Sequence, residues 1–380
     1  MVTQKQRAPM KAAQGRGEHW GQAVKSAVAA LGRIPDDVNI GFVYVTQGLA
    51  ENFSSIITFL RETTPVTQWL GAVGHGVFGP LGESYEGCAL SLMVGTLPPG
   101  TFHCFEPAGD DDAESLLAPH RSWLNGRQGV TGLVHADPQC PDLAKLLAGL
   151  SAGANAFLFG GLTAAGTMPR QVAGRMTDGP LSGAWFSKDI ALATGLTQGC
   201  IPIGGPHRVS EAVDGVIMAL DGQPAVDVMK AEAGDSIARD LSKASGLIQL
   251  ALPVAGSDTH DYTVRSLLGI DPRRGWLAAA ERFVPGDRVL FVRRDAEAAQ
   301  KDLRRMLLDL AKRLDGRTIL GGIYISCVAR GPALFGTEGR EVAAVFEALG
   351  DFPLVGFSAS GEICHDRLYA FTGLLALFLR

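Results

Sequence analysis

The chain has 380 residues, 46% of them hydrophobic and 19% charged, with 48 glycines and 20 prolines. That apolar content supports packed domains and excludes disorder as the main state, and the length suggests two domains or one large one. The formal charge of −5 lacks the basic balance of a general polyanion binder, so nucleic acid is not an expected partner. Lys5, Arg7, Lys11 and Arg16 lie near the start, but no apolar run follows that could form a signal-peptide core. The apolar stretch 374–379 is too short to span a bilayer. Six cysteines, at positions 88, 104, 140, 200, 327 and 364, lack any Cys-x-x-Cys spacing and read as reduced, mostly buried thiols. A soluble cytoplasmic protein is expected.

In chain order, residues 1–18 read as a disordered tail and 19–31 as a helix. A β-rich run at 41–45 leads into a helix over 51–61, whose Phe53, Ile56, Ile57 and Leu60 follow helical spacing. Residues 69–74 then run into a glycine-rich turn, and 85–97 read as another strand. A weaker copy of this order follows, with a helix over 113–124 that Pro119 interrupts, runs at 132–135 and 157–160 around a helix over 142–150, and a strand from 182. Residues 205–295 break the pattern, with strand-like runs at 262–269 and 288–293. The order returns with a helix from about residue 296, N-capped by Asp295, with Glu297 in its first turn. Its apolar stripe is Leu303, Met306, Leu307, Leu310 and Leu314. A strand over 322–326, a helix over 340–349, a run from 353 to the turn at 361, and a strand over 368–379 complete the unit.

The fold class this predicts is α/β: mixed sheets with helices on their faces, and internally repeated strand-helix-strand-strand units in two similar domains, 19–226 and 227–380. The short connections between the last two strands of each unit predict that those strands pair antiparallel.

Gly74-His75-Gly76-Val77-Phe78-Gly79 matches the three-glycine dinucleotide pattern. That pattern needs a helix directly after it to hold a pyrophosphate, and Pro80-Leu81-Gly82-Glu83 and a strand follow instead. It reads as a tight turn. Residues 356–361 approach the nucleophile-elbow pattern but miss its last glycine and run on into a strand. No catalytic signature is recognisable, and the chain is not expected to be an enzyme.

The candidate ligand-binding residues lie in the turns. Cys327 and Arg330 end one strand, Ser358, Ser360, Gly361 and Glu362 form the C-terminal turn, and Gly74, His75 and Gly76 form the first. Turns at the ends of neighbouring strands gather at one sheet edge, where glycine lets a ligand approach the backbone. Arg330 suits a carboxylate or phosphate, and Glu362 suits that arginine or an ammonium group. The alternative is that Arg330 and Glu362 only pair with each other. Arg208 is a further candidate, beside His207. His75, His135, His207 and His365 lack a second ligand at diagnostic spacing and read as solvated or hydrogen-bonded, with metal or haem ligation left open. Cys364 reads as core.

The chain resembles the FIST family, a sensory module of paired FIST N and FIST C domains. The matching stretches are 69–79 and 157–166 for the first domain, and 204–209 with 220–225 at the border. For the second they are 291–295, 323–331 and 353–363. The combination of Cys-x-x-Arg-Gly at 327–331 with Gly-Phe-Ser-x-x-Gly-Glu at 356–362 is the most specific part. The chain departs from the family at 209–219, where a more polar turn is usual, and in carrying His75. The resemblance implies a small-molecule-binding sensory protein rather than a catalyst, with an amino acid or other carboxylate as ligand. It also implies a signalling partner such as a histidine kinase or chemoreceptor, the short segment before His19 holding no output domain. Some bacterial members resembling this chain are haem-dependent nitric-oxide sensors, the alternative reading, and a hydrolase is the third. The cofactor is left open.

Overall fold

In the computed structural model of the chain, the described residues are 10–106, 112–166, 170–177, 179–254 and 262–380. The first repeat runs β1 (Lys11–Gly17), α1 (Trp20–Leu31), β2 (Ile40–Thr46), α2 (Phe53–Thr63), β3 (Gln68–Gly74), a hairpin of β4 (Gly76–Gly79) and β5 (Gly82–Ser84), and β6 (Cys88–Gly95). Of the expected disordered tail, residues 1–9 lie outside the described residues, and for 11–17 the expectation is corrected: β1 pairs with β6 over its whole length, from Lys11 opposite Val94 to Gly17 opposite Cys88.

The second repeat has the same order. It comprises β7 (Phe102–Phe105), α3 (Ala113–Leu117), α4 (Arg121–Leu124), β8 (Val130–Ala136), α5 (Leu143–Ala154), β9 (Ala156–Leu162), a hairpin of β10 (Gln171–Ala173) and β11 (Arg175–Thr177), and β12 (Leu181–Phe186). Asp112 starts α3 by accepting the amides of Glu114 and Ser115, each at 3.0 Å. Pro119 falls in the 3₁₀ turn that separates α3 from α4.

The third repeat opens with β13 (Ala191–Gln198) and is then interrupted. The interruption holds β14 (Ile201–Val213), β15 (Val216–Leu220), β16 (Gln223–Pro224), α6 (Ala225–Ala233), α7 (Asp235–Arg239), β17 (Ile248–Pro253), β18 (Tyr262–Arg265), β19 (Leu267–Asp271), β20 (Trp276–Ala279) and β21 (Arg288–Arg293). The repeat resumes with α8 (Ala296–Leu314), β22 (Ile319–Cys327), α9 (Gly331–Phe335), α10 (Arg340–Leu349), β23 (Leu354–Ala359), a hairpin of β24 (Glu362–Cys364) and β25 (Arg367–Tyr369), and β26 (Thr372–Leu379). As the sequence predicts, Asp295 caps α8, accepting the Ala298 amide at 2.8 Å.

Each repeat forms the middle of one six-stranded mixed sheet. Its first long strand lies between a parallel and an antiparallel neighbour: β2 between β3 and β6, β8 between β9 and β12, β22 between β23 and β26. The last two strands of a unit therefore flank the central strand instead of pairing with each other, which corrects the expected hairpin pairing. The reason is that the connection between them leaves the sheet. Hairpin β4–β5 joins β23, hairpin β10–β11 joins β3, and hairpin β24–β25 joins β9. Each repeat completes the sheet of another, in a closed cycle of three.

The three copies align on one glycine each. A Cβ on Gly71, Gly160 or Gly356 would stand 1.7, 1.8 or 1.7 Å from the carbonyl oxygen of Val43, Val134 or Tyr324 on the adjacent strand. Nothing larger than glycine fits there. Alternation then divides each strand between two buried faces. Ile40, Phe42 and Tyr44 turn into a shared core with Leu133, Phe159, Ile323, Ile325 and Phe357. Val43 and Val45 turn outward with Ala23, Val24, Ile56 and Leu60 of α1 and α2.

Contacts gather the described residues within Met1–Thr197, Arg304–Leu368 and Thr372–Arg380 into one compact unit, and Gln198–Leu303 with Tyr369–Phe371 into another. A single cut at 226/227 falls inside α6, so the compact units do not follow that linear boundary. The second unit is built on an eight-stranded sheet with a core of Ile217, Leu220, Val226, Met229, Leu250 and Phe291.

Candidate functional site

The hairpin exchange forces three turns together. As the chain leaves β3, β9 and β23 for another repeat's sheet, each turn lends one backbone amide to a carbonyl of another repeat. His75 N–H donates to Ser358 O at 2.8 Å, Ala164 N–H to Val73 O at 2.8 Å, and Ser360 N–H to Leu162 O at 3.0 Å. These bonds close a ring. His75 Nε2 lies 2.9 Å from Ser360 Oγ, and Ser360 Oγ donates to Thr163 O at 3.0 Å. With the one hydroxyl proton used there, His75 Nε2–H is the donor. Burial pushes the His75 imidazole below its ordinary value, which favours that neutral form. His75 and Ser360 are half-buried, whereas Thr163 and Ser358 beneath them are sealed from solvent. The hydroxyls of Thr163 and Ser358 have no hydrogen-bond partner.

Beside the ring lies a buried charged cluster. Arg330 follows β22 and is completely buried. Its Nε and Nη2 reach Oε1 of Glu341, in the first turn of α10, at 2.8 and 2.7 Å. The alternative the sequence offered, that Arg330 and Glu362 only pair with each other, is therefore too narrow: Arg330 pairs with Glu341, and its charge also acts on Glu362. Glu341 also accepts the hydroxyls of Tyr324 at 2.7 Å and Ser326 at 2.8 Å. Its amide and that of Val342 donate to Glu83 Oε1 at 2.9 and 3.1 Å, so a residue of the first repeat's hairpin caps a helix of the third. Tyr85 O–H donates to Glu83 Oε2 at 2.8 Å.

Glu362 is fully buried as well. Its Oε2 accepts the amide and hydroxyl of Thr372 at 3.2 and 2.6 Å, and its Oε1 has no hydrogen-bond partner. Burial is the main reason its carboxyl is pushed up to about 8. Thr372 and the Arg330 charge oppose that shift, and the Glu341 charge adds to it.

Nine of the ten candidates from the sequence lie in the three-repeat unit: Gly74, His75 and Gly76, Ser358, Ser360, Gly361 and Glu362, and Cys327 with Arg330. Arg208 does not join them. It is exposed on β14 of the other compact unit, opposite Arg288, with its amide on Asp221. Glu341 and Glu83 were missed. The signal for Glu341 was its place in a helix's first turn, and for Glu83 a Gly-Glu pair after a glycine turn, mirroring Gly361-Glu362.

The other histidines are engaged elsewhere. His135 Nε2 meets the Tyr44 hydroxyl at 3.1 Å inside the shared core, and His207 sits between Asp221 at 2.7 Å and Glu232 at 2.9 Å. His365 and Asp366 line a surface pocket of about 350 Å³ with Asn155 and Phe157, away from Arg330 and Glu362. Among the described residues, no group of three or more His, Cys, Asp or Glu side chains is placed to hold a metal ion. No described helix is long and apolar enough to cross a membrane.

The class of protein this defines is a triplicated α/β module whose buried polar side chains converge where its repeats exchange strands. Residues 39–223 match the FIST N domain and residues 225–365 the FIST C domain. The chain belongs to the FIST family, whose domains are sensory. The turn ring draws on both matches, with His75 and Thr163 from the first and Ser360 from the second. The chain is also 36% identical over 198 residues to the uncharacterized protein Rv0628c of Mycobacterium tuberculosis, covering 48% of this chain and 50% of that protein. It is 33% identical over 192 residues to the uncharacterized protein Mb0898c of Mycobacterium bovis, with the same coverage. The chain thus spans about half the length of the curated relatives it matches.

Proposed function

We propose that the chain is a cytoplasmic sensor that binds a small molecule at the ring of turns and signals through a partner protein of the histidine-kinase or chemoreceptor kind. The observation that supports the site is the convergence of unpartnered buried polar atoms from different repeats: Thr163 Oγ1, Ser358 Oγ and Glu362 Oε1. A buried polar group without a partner costs about 1–3 kcal/mol, so three of them at one junction favour a molecule that completes their bonding. Gly74, Gly76 and Gly361 are buried in the same turns, and His75 and Ser360 form the half-buried entrance. Arg330 serves this site by holding Glu341 in place. To grip a ligand carboxylate it would have to release a partner that is itself buried.

A small-molecule screen by thermal shift, repeated on His75→Phe and Ser360→Ala, tests the reading. Compounds bound at the ring should lose about tenfold or more in affinity in both variants. Compounds that bind all three proteins equally, or whose binding is abolished by Phe157→Ala in the surface pocket instead, would place the site elsewhere.

A further inference from the structure

We propose that the ligand presents a cationic nitrogen, an ammonium or amine group, to Glu362 Oε1, and that its binding releases the proton of that carboxyl to solvent. This rests on the reading of the turn ring as the binding site.

The three-repeat cycle supplies the first argument. The aligned residues Gly71, Gly160 and Gly356 sit opposite Val172, Ile363 and Phe78 on the incoming hairpins. One position along, the equivalent residues are Gln171, Glu362 and Val77. Gln171 is 2% exposed and accepts the Ser182 hydroxyl at 2.9 Å, much as Glu362 accepts that of Thr372. A neutral amide therefore satisfies this position in one repeat, and an apolar side chain in another. Folding does not require an ionisable group there, and burying one is costly. Only the third repeat carries it.

Charge supplies the second argument. The groups facing Glu362 are Arg330, Glu341 and Thr372, with Glu83 beyond Glu341. Arg330 hydrogen-bonds Glu341 through Nε and contacts it through Nη2, so the one guanidinium faces the Glu341 charge, with the Glu83 carboxyl beyond. A ligand anion beside Glu362 would add to that negative side, whereas a cation would offset the charge Glu362 takes on when it ionises. His75 at the entrance is biased toward its neutral form and does not repel a cation.

The third argument is the proton. Because Glu362 is held near 8, at pH 7 the carboxyl is mostly protonated. An arriving ammonium keeps its own charge, the O–H bond of Glu362 breaks, and the proton leaves for water. One N–H···O⁻ pair replaces one neutral carboxyl, and charge balances through the released proton.

The test uses the full chain with methylammonium and 1,4-diaminobutane as cationic probes, acetate as the anionic one and acetamide as the neutral one. Amide chemical shifts and proton uptake or release would be followed at pH 6.5 and 8.5. The expected result is saturable shifts at residues 74–76 and 358–362 with the cationic probes alone. Affinity should be about tenfold or more higher at pH 8.5, and a proton should be released at pH 6.5. Glu362→Gln, which copies the second repeat, should abolish all three. The pH dependence and proton release are read on the unaltered chain, so the test does not depend on how well the variant folds. Binding of acetate or acetamide at the ring, or cation binding without pH dependence, overturns the ligand class while leaving the site. Shifts confined to residues 148–157 and 365–366, or none with any probe, overturn both.

Discussion

Arg330 and Glu341 are both sealed from water, so each charge depends on the other. Removing one partner of such a pair leaves an uncompensated buried ion, which typically costs about 3–5 kcal/mol. Arg330→Ala should therefore lower urea-unfolding stability by about that amount. Arg330→Lys keeps the charge but not the fork that reaches Glu341 through two nitrogens, and should recover only part of it. A variant that kept wild-type stability but lost ligand binding would instead restore Arg330 as a direct ligand contact.

His135 makes a second prediction at the residue scale. Burial pushes its imidazole down to about 3, and its Nδ1 has no partner in the core. The unfolded chain takes up this proton near the ordinary 6.5, whereas the folded chain resists it until about 3. Stability that is fully present above pH 6.5 should therefore drain away as the pH falls toward 3, at up to about 1.4 kcal/mol per pH unit. His135→Phe should flatten that slope between pH 6.5 and 4 in urea titrations, whatever its effect on stability at neutral pH. An unchanged slope would mean that other groups dominate acid unfolding.

At the scale of elements, α10 has no side-chain cap of its own, and Gly339 precedes it. Glu83 takes over that function from a hairpin more than 250 residues away in sequence. Glu83→Ala should cost about 1–2 kcal/mol, the usual loss for an N-cap, and amide exchange should quicken first at Glu341 and Val342. The same helix carries Glu341, so loosening its first turn should also loosen Arg330. If exchange at Glu341 and Val342 is unaltered in the variant, the cap across repeats is not a stabilising contact.

For the whole molecule, the cycle of hairpins makes the three repeats mutually dependent. A Cβ at Gly160 would meet Val134 O at 1.8 Å and push β8 from β9, the strand that receives the third repeat's hairpin. Gly160→Ala should therefore raise hydrogen exchange in peptides from all three repeats, including 322–327 and 40–46. Peptides within 205–295 belong to the other compact unit and should keep their protection. Protection loss confined to residues 130–162 would show that the repeats fold independently.

Much of this architecture was legible along the chain because it depends on local chemistry. Runs of β-branched and aromatic residues mark β2 and β22, the spacing of Phe53, Ile56, Ile57 and Leu60 marks α2, and Asp295 marks the start of α8. Pro119 breaks its helix through its own backbone. The repeat itself shows in recurring glycines, since a glycine wedged against a neighbouring strand is needed in every copy. The strand β1 was hidden because Lys11–Gly17 has little apolar alternation and gains its order from β6. What lay beyond the sequence were the partners: which sheet a hairpin joins, that Arg330 meets Glu341, that Glu83 caps α10, and that Glu362 is left with one oxygen unpartnered. Those pairings join residues from 10 to more than 250 positions apart, and no local propensity encodes them. They follow from closing three sheets on one core, which carries the connecting turns to a common junction and seals their polar side chains there.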